Sequence, residues 1–317
     1  MHEDKFLVTG GAGFIGFHLC KKLLASGKEV IIVDNFSDYY DVSLKKDRIK
    51  QIPSAKVYVG DISNYEFMKN IFKENKINKV VHLAAQAGVR YSIKNPFEYE
   101  KSNNFGTLNI FELSKISGIS EIIYASSSSV YGGNQKLPFS VDDDVSNQVS
   151  LYAATKRYNE LLARVYYNLY GIKSIGLRFF TVYGSWGRPD MSYFKFMEKY
   201  RLGNEIKIYN NGDHLRDFTH IDDVVLGLLQ SIKKEKECEI YNLGNSKPIK
   251  LITFIETLES ISGVKFKKNF VEMQKGDMHS TFADIELTKS ALKWEPKVEL
   301  SRGLKEFYDW YKNYYFP

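Results

Sequence analysis

Residues 5–35, KFLVTGGAGFIGFHLCKKLLASGKEVIIVDN, constrain the fold more than any other part of the chain. They read as an apolar strand, a glycine turn, an amphipathic helix and a second apolar strand that ends on Asp34. Gly10, Gly13 and Gly16 form a G-x-x-G-x-x-G spacing. Glycines so placed let the backbone bend tightly and approach a pyrophosphate, while the helix N-terminus offers free N–H groups and partial positive charge. Asp34 follows Gly16 by 18 residues. A carboxylate there accepts hydrogen bonds from adenosine ribose hydroxyls and repels a 2′-phosphate, so the expected cofactor is NAD rather than NADP.

Downstream, short apolar strands alternate with helical patterns: Phe6 to Thr9, Val30 to Asp34, Val57 to Val59, Val80 to Leu83, Ile122 to Ser126 and Ser174 to Phe179. Such alternation gives right-handed βαβ units. The expected fold class is α/β, a Rossmann doubly wound parallel sheet with a smaller C-terminal α/β substrate-binding domain. The expected division is 1–180 and 181–317, with some later segments returning to the first domain. Ligands in such sheets lie at the carboxyl ends of strands. Gly60-Asp61-Ile62, Ala84-Ala85-Gln86 and Ser126 to Ser129 fall at those ends.

The chain has 317 residues, 44% hydrophobic and 26% charged, which suits about two globular domains. Its net charge of +6 is scattered, with no basic run interleaved with aromatics, so no nucleic-acid partner is expected. Cys20 and Cys238 form no C-x-x-C pattern and the six histidines show no H-x-x-x-H spacing, so no metal is expected. No apolar run reaches the roughly 18 residues that span a bilayer and no leader precedes the first strand, so a cytoplasmic location and no membrane association are expected. Leu304, Phe307, Tyr308, Tyr311, Tyr314 and Tyr315 recur at helical spacing and read as a face packed on the body.

Tyr152 and Lys156, in LYAATKRYNE, lie one helical turn apart on one face. An ammonium beside a phenol lowers the phenol pKa and suits Tyr152 to accept a proton near neutrality. The same spacing also arises in any amphipathic helix with a solvated lysine; the glycine opening and the serine run, Ser126 to Ser129, give it weight.

TGGAGFIG, the DNF after the second strand, GDI, HLAAQAGV, ASSSSVYG, YAATK, LRFFTVYG and RDFTHIDDV together resemble the extended short-chain dehydrogenase/reductase family over essentially the whole chain. AGVRYS, SDYYDVSLKKDR, YGSWGRPDM and MQKGDM resemble its nucleotide-sugar 4-epimerases, closest to those acting on UDP-glucuronate. The resemblance implies that NAD is retained between turnovers. It implies that Tyr152 takes the proton of the sugar 4-hydroxyl as hydride leaves carbon 4, that Lys156 holds the nicotinamide ribose, and that Ser127 bonds the same hydroxyl. The 4-keto sugar then accepts hydride on its other face. Cofactor contacts are implied for Gly10, Gly13, Phe14, Ile15 and Gly16, for Asp34 and Asn35, for Asp61 and Ile62, for Leu83, Ala84 and Ala85, and for Asn103, Tyr152 and Lys156.

Related dehydratases carry an Asp-Glu pair where this chain has Ser128 and Ser129, and related decarboxylases a Glu at the second position. Neutral hydroxyls donate to a substrate carboxylate but perform no elimination, which disfavours both chemistries. Ordinary strand-end capping is the alternative for these serines. UDP-sugar contacts are implied for Ser127, Ser128, Ser129, Thr181, Arg188, Arg216 and Asp277. Thr181 replaces an Asn, Gln274 an Arg, and Thr281 sits at a gate that a Tyr closes in some members. The roles of Arg90, Arg188 and Thr281 stay open, as do a UDP-glucose or UDP-N-acetylglucosamine substrate and a non-catalytic NAD-sensing role. A homodimer is expected through the helix after Pro96 and the helix from Tyr152 to Tyr170, whose Leu161, Leu162, Val165, Tyr166 and Leu169 exceed what one buried face needs.

Overall fold

The structure, a computed structural model, describes residues 4–235, 237–272 and 280–316. In chain order its first elements are β1 (Lys5–Thr9), α1 (Phe14–Ala25), β2 (Glu29–Asp34), α2 (Val42–Lys50), β3 (Lys56–Val59), α3 (Tyr65–Glu74) and β4 (Lys79–His82). Then come α4 (Val89–Lys94), α5 (Pro96–Tyr99), a π-helical turn (Glu100–Phe105), α6 (Gly106–Ile116), β5 (Glu121–Ser127), a 3-10 turn (Ser128–Tyr131), α7 (Leu151–Tyr170) and β6 (Lys173–Phe179). The remainder comprises β7 (Thr181–Tyr183), α8 (Ser192–Arg201), β8 (Ile206–Tyr209), β9 (Leu215–Arg216), β10 (Phe218–His220), α9 (Ile221–Lys233) and β11 (Cys238–Leu243). It ends with β12 (Ile249–Lys250), α10 (Leu251–Ser262), β13 (Lys268–Val271), β14 (Ser280–Thr281), α11 (Glu286–Leu292) and α12 (Leu300–Tyr315).

The chain forms two compact units. The first comprises Met1–Gln135, Val141–Phe179 and Leu228–Asn242; the second comprises Lys136–Ser140, Phe180–Gly227 and Leu243–Pro317. A seven-stranded sheet runs β3-β2-β1-β4-β5-β6-β11, and β1 pairs in parallel with both β2 and β4. The strand order reverses between β1 and β4, and doubly wound sheets bind ligands at such a reversal. Strands such as EVIIVD are buried at all but the first position, as expected when helices cover both faces of a parallel sheet. One face packs Leu7, Ile31, Val33, Val80 and Ile122 against Ile110 and Phe111 of α6 and Leu162 and Tyr166 of α7. Each such side chain contributes about 1.5–3 kcal/mol on burial.

Local chemistry sets the limits of α7. Ser150 caps it by accepting from the Ala153 N–H at 3.1 Å, and Gly171 ends it in the left-handed region at φ +69°. In the second unit, α12 buries Leu304, Phe307 and Tyr311, which bears out the packed aromatic face read from the sequence. Among the described residues no helix is long and apolar enough to cross a membrane.

Candidate functional site

The glycine turn closes between the ends of β1 and β4. Gly10 has φ +72°, and a Cβ there would stand 2.7 Å from the Ala84 nitrogen. A Cβ on Gly16 would stand 2.2 Å from the Gly10 carbonyl oxygen, so helix and turn meet at a distance only glycine allows. The first turn of α1 has no side-chain cap and no acidic residue, which keeps its positive end available to an anion. Asp34 ends β2, and its carboxylate accepts from the N–H groups of Ala12 at 3.0 Å and Phe36 at 2.9 Å. Burial raises its pKa, and the nearby Lys45 and Arg48 charges oppose that rise. A carboxylate accepts about four hydrogen bonds, so capacity remains for a diol. This cradle, with Asp34 at its edge, fits a dinucleotide.

Arg48 is a part of this region that sequence reasoning missed. It is fully buried and donates to the Ala12 carbonyl at 3.0 Å and to the Tyr40 hydroxyl at 2.8 Å, tying α2 to the glycine turn. Its only sequence signal is the SDYYDVSLKKDR segment, used there as a family marker. Asn35 donates to Asp61 at 3.5 Å, which links the loops after β2 and β3. Ile62 is buried, and its carbonyl accepts from the Asn109 amide at 3.0 Å. Phe14 is buried and Ile15 half-buried in the first turn of α1. Leu83 and Ala84 donate backbone N–H groups to Thr9, at 3.1 Å to its carbonyl and 3.2 Å to its hydroxyl, and Ala85 follows in the same half-buried loop.

Lys156 is buried on α7, and its ammonium donates to the Ala125 carbonyl of β5 at 2.8 Å. Burial lowers its pKa to about 8, against the opposing pull of Glu160. Tyr152 is half-buried in the first turn of the same helix, its ring edge-on to Tyr99 at 6.0 Å. Ser127 ends β5, and its hydroxyl oxygen accepts from the Ser129 N–H at 3.1 Å, which leaves its proton for another acceptor. Ser128 and Ser129 open the 3-10 turn and are both half-buried.

Asn103 lies in the π-helical turn, a rare geometry that concentrates at functional sites. It is fully buried and doubly bonded to the Gln86 backbone, accepting from its N–H at 2.7 Å and donating to its carbonyl at 3.0 Å. Its amide also donates to the Thr155 hydroxyl at 3.0 Å, and that hydroxyl donates to the Tyr152 carbonyl at 2.9 Å. One side chain thus fixes the β4 loop against the start of α7. Beneath it, His82 bonds Thr9 through Nδ1 at 2.7 Å and Thr107 through Nε2 at 3.0 Å. The Thr107 proton goes to the Asn103 carbonyl, so Nε2 carries the imidazole proton. Burial, with Lys156 nearby, holds the His82 pKa down to about 3, and the ring stays neutral.

Thr181, Arg188 and Arg216 belong to the second unit. Arg188 is forked onto Asp190, at 2.9 Å through Nε and 2.5 Å through Nη2, so much of its charge is balanced locally. Arg216 pairs with Thr281 across β9 and β14, which brings a candidate phosphate contact beside the gate position. Thr181 pairs with Phe218 between β7 and β10. Asp277 and Gln274 lie outside the described residues.

The chain matches the NAD dependent epimerase/dehydratase family over residues 6–244, and with its parallel sheet and glycine turn it belongs to that family, an isomerase of the extended short-chain dehydrogenase/reductase type with NAD as cofactor. A UDP-glucuronate 4-epimerase of Thermodesulfobacterium geofontis is 45% identical, covering 97% of this chain and 96% of its own. The crystal structure of a Bacillus cereus UDP-glucuronic acid 4-epimerase with UDP-glucuronic acid and NAD superposes with TM-score 0.91 at 34% identity, covering 98% of this chain and all of the other (100%). A Thermotoga maritima UDP-glucose 4-epimerase with UDP-glucose reaches TM-score 0.90 at 32% identity, covering 98% of this chain and 99% of its own.

Proposed function

We propose that the chain inverts carbon 4 of UDP-glucuronate to give UDP-galacturonate reversibly, through a 4-keto sugar. The observation that carries the reading is the end of β5: a hydroxyl at Ser127, then neutral hydroxyls at Ser128 and Ser129 where elimination chemistry needs carboxylates. The similar UDP-glucuronate 4-epimerases support it. When bound, NAD supplies the hydride acceptor and, later, the donor. The glycine turn and the first turn of α1 hold its pyrophosphate and Asp34 its adenosine ribose. The Lys156 ammonium stabilises Tyr152 as a phenolate, which accepts the proton of the 4-hydroxyl and becomes the neutral phenol. Ser127 donates to the same substrate oxygen. After the keto sugar turns over, Tyr152 returns the proton. Arg216 and Asp277 are assigned to the nucleoside diphosphate, Arg suiting a bidentate phosphate contact.

Ser128 and Ser129 separate a uronate from a neutral substrate. Each hydroxyl on a carboxylate is a charge-assisted bond of roughly 1.5–3 kcal/mol. Ser128→Ala or Ser129→Ala is expected to lower kcat/KM for UDP-glucuronate by about tenfold to a hundredfold, and for UDP-glucose much less. A 4-keto uronate is a β-keto acid prone to lose carbon dioxide, so the Ala variants are also expected to leak a decarboxylated pentose product. Equal losses on both sugars without a leak return the serines to strand-end capping.

A neutral-sugar reading has its own support, the likeness to the Thermotoga maritima enzyme and the small Thr281 at the gate position. Comparing kcat/KM for UDP-glucuronate, UDP-glucose and UDP-N-acetylglucosamine decides between them. A tenfold preference for a neutral sugar, about 1.4 kcal/mol in transition-state binding, displaces the uronate.

The assembly we propose is a homodimer. The segment from α4 to α5 leaves Ile93 75% and Phe97 84% exposed, and α7 leaves Leu161 51% and Leu169 66% exposed. Leu161, Val165 and Leu169 recur every four residues along α7, and an exposed apolar row of that kind marks a protein contact. Light scattering is expected to report a dimer at micromolar concentration, and Phe97→Asp with Leu169→Asp a monomer. A monomeric parent protein contradicts the assignment.

A further inference from the structure

Glu160 stands one helical turn beyond Lys156, with its side chain fully buried. A buried carboxylate is costly unless it is well paired, and this one has four donors. The Ser126 hydroxyl donates at 2.7 Å, Arg178 donates through Nε at 2.8 Å and Nη2 at 3.0 Å, and Arg157 through Nη1 at 3.0 Å. Arg178 itself packs over the Tyr131 ring at 4.8 Å, and the Tyr131 hydroxyl donates to Asn242 at 2.6 Å. The knot therefore joins β5, β6, β11 and the 3-10 turn to α7. It is anchored at the residue before Ser127 and borders Lys156.

We infer that Glu160 is a positioning residue of the epimerase site, holding a fixed negative charge behind Lys156 so that the lysine remains an ammonium for Tyr152. The inference rests on the proton-transfer roles proposed above. Lys156 is taken out of water, and burial favours its neutral form. The groups around it settle what opposes that. His82 from β4 is neutral and gives no anion. Tyr152 is the group whose anionic form the ammonium has to hold, the Ala125 carbonyl of β5 is a dipole, and burial keeps Tyr124 of β5 protonated. Arg157 of α7 and Arg178 of β6 are cations that share Glu160. Glu160 supplies the fixed negative charge among these groups. The Ser126 bond ties that charge to the strand end that presents Ser127.

The test reads the Lys156 charge directly, in the NAD-loaded protein without sugar, by NMR titration of 13Cε-labelled lysine assigned with Lys156→Met. Glu160→Gln is expected to lower the Lys156 midpoint by about one pH unit or more, the size of effect expected of a close opposite charge. Arg157→Leu, which removes a half-exposed cation bound to Glu160, is expected to raise it and serves alone if the Gln variant does not fold. With a turned-over sugar, the alkaline limb of kcat should move in the same direction as each midpoint, and Glu160→Asp should restore it towards the parent. Midpoints unchanged in the folded variants overturn the inference. Shifted midpoints in a protein inactive on every UDP-sugar uphold the charge relation and reject the epimerase reading instead.

Discussion

Tyr152→Phe should reduce turnover of UDP-glucuronate by about 10²–10⁴-fold, the usual weight of a positioned proton acceptor, while NAD stays bound. The separation follows from where the two functions sit. The substitution removes one oxygen from α7, whereas the dinucleotide cradle is built from the glycine turn, α1 and Asp34. The backbone at residue 152 also keeps its tie, because the Thr155 hydroxyl donates to the Tyr152 carbonyl and not to the phenol. Turnover assays together with nucleotide released on denaturation read both quantities. Near-parental turnover in the Phe variant sinks the assignment of the base.

Gly16→Ala should weaken NAD binding by at least about tenfold to a hundredfold, and the protein should no longer purify with cofactor. The added Cβ would lie 2.2 Å from the Gly10 oxygen and 2.9 Å from the Gly10 carbonyl carbon and the Gly11 Cα, all backbone atoms. That backbone has little room to yield, since Gly10 N–H donates to Val33 at 2.7 Å and Gly13 N–H to Gly10 at 3.0 Å. Overpacking costs about 1–3 kcal/mol, equivalent to the stated loss of affinity. Gly133→Ala is the comparison, because a Cβ there meets nothing closer than 3.5 Å, and its NAD content should match the parent. Equal NAD retention in the two variants contradicts the close approach of turn and helix.

The sheet was legible because parallel strands buried on both faces are nearly continuous apolar runs. Phe6 to Thr9 and Val30 to Asp34 each begin one residue inside the observed strands, the missed residues being Lys5 and Glu29. Charged ends pair along the ladder without adding an apolar signal. The reach of β4 was overread by one residue at Leu83, where the backbone already bonds Thr9 as a loop. CEIYNL, by contrast, reads as a strand but says nothing of which sheet it joins; its place beside β6 is fixed by packing remote in sequence. The π-helical turn at Asn103 was equally hidden, since it differs from an α-helix by one hydrogen-bond step and has no residue pattern of its own.

The candidate site divides along the same line. Glycines, a strand-end acid and a Tyr-x-x-x-Lys pair are local patterns and could be read directly. Arg48, Arg178 and Glu160 are buried charges with partners remote in sequence, Ala12 lying 36 residues from Arg48, and a lone Arg or Glu in an amphipathic helix, like Arg48 or Glu160, looks like a solvated face. Arg188 has a partner that its sequence setting did not announce: the fold forks it onto Asp190 two residues on.

Inversion at carbon 4 of a UDP-uronate can be read by following UDP-glucuronate with the purified protein by proton NMR, without added NAD. UDP-galacturonate should rise to an equilibrium mixture that is reached equally from either sugar. No UDP-galacturonate, or a UDP-pentose appearing as carbon dioxide is lost, would contradict it.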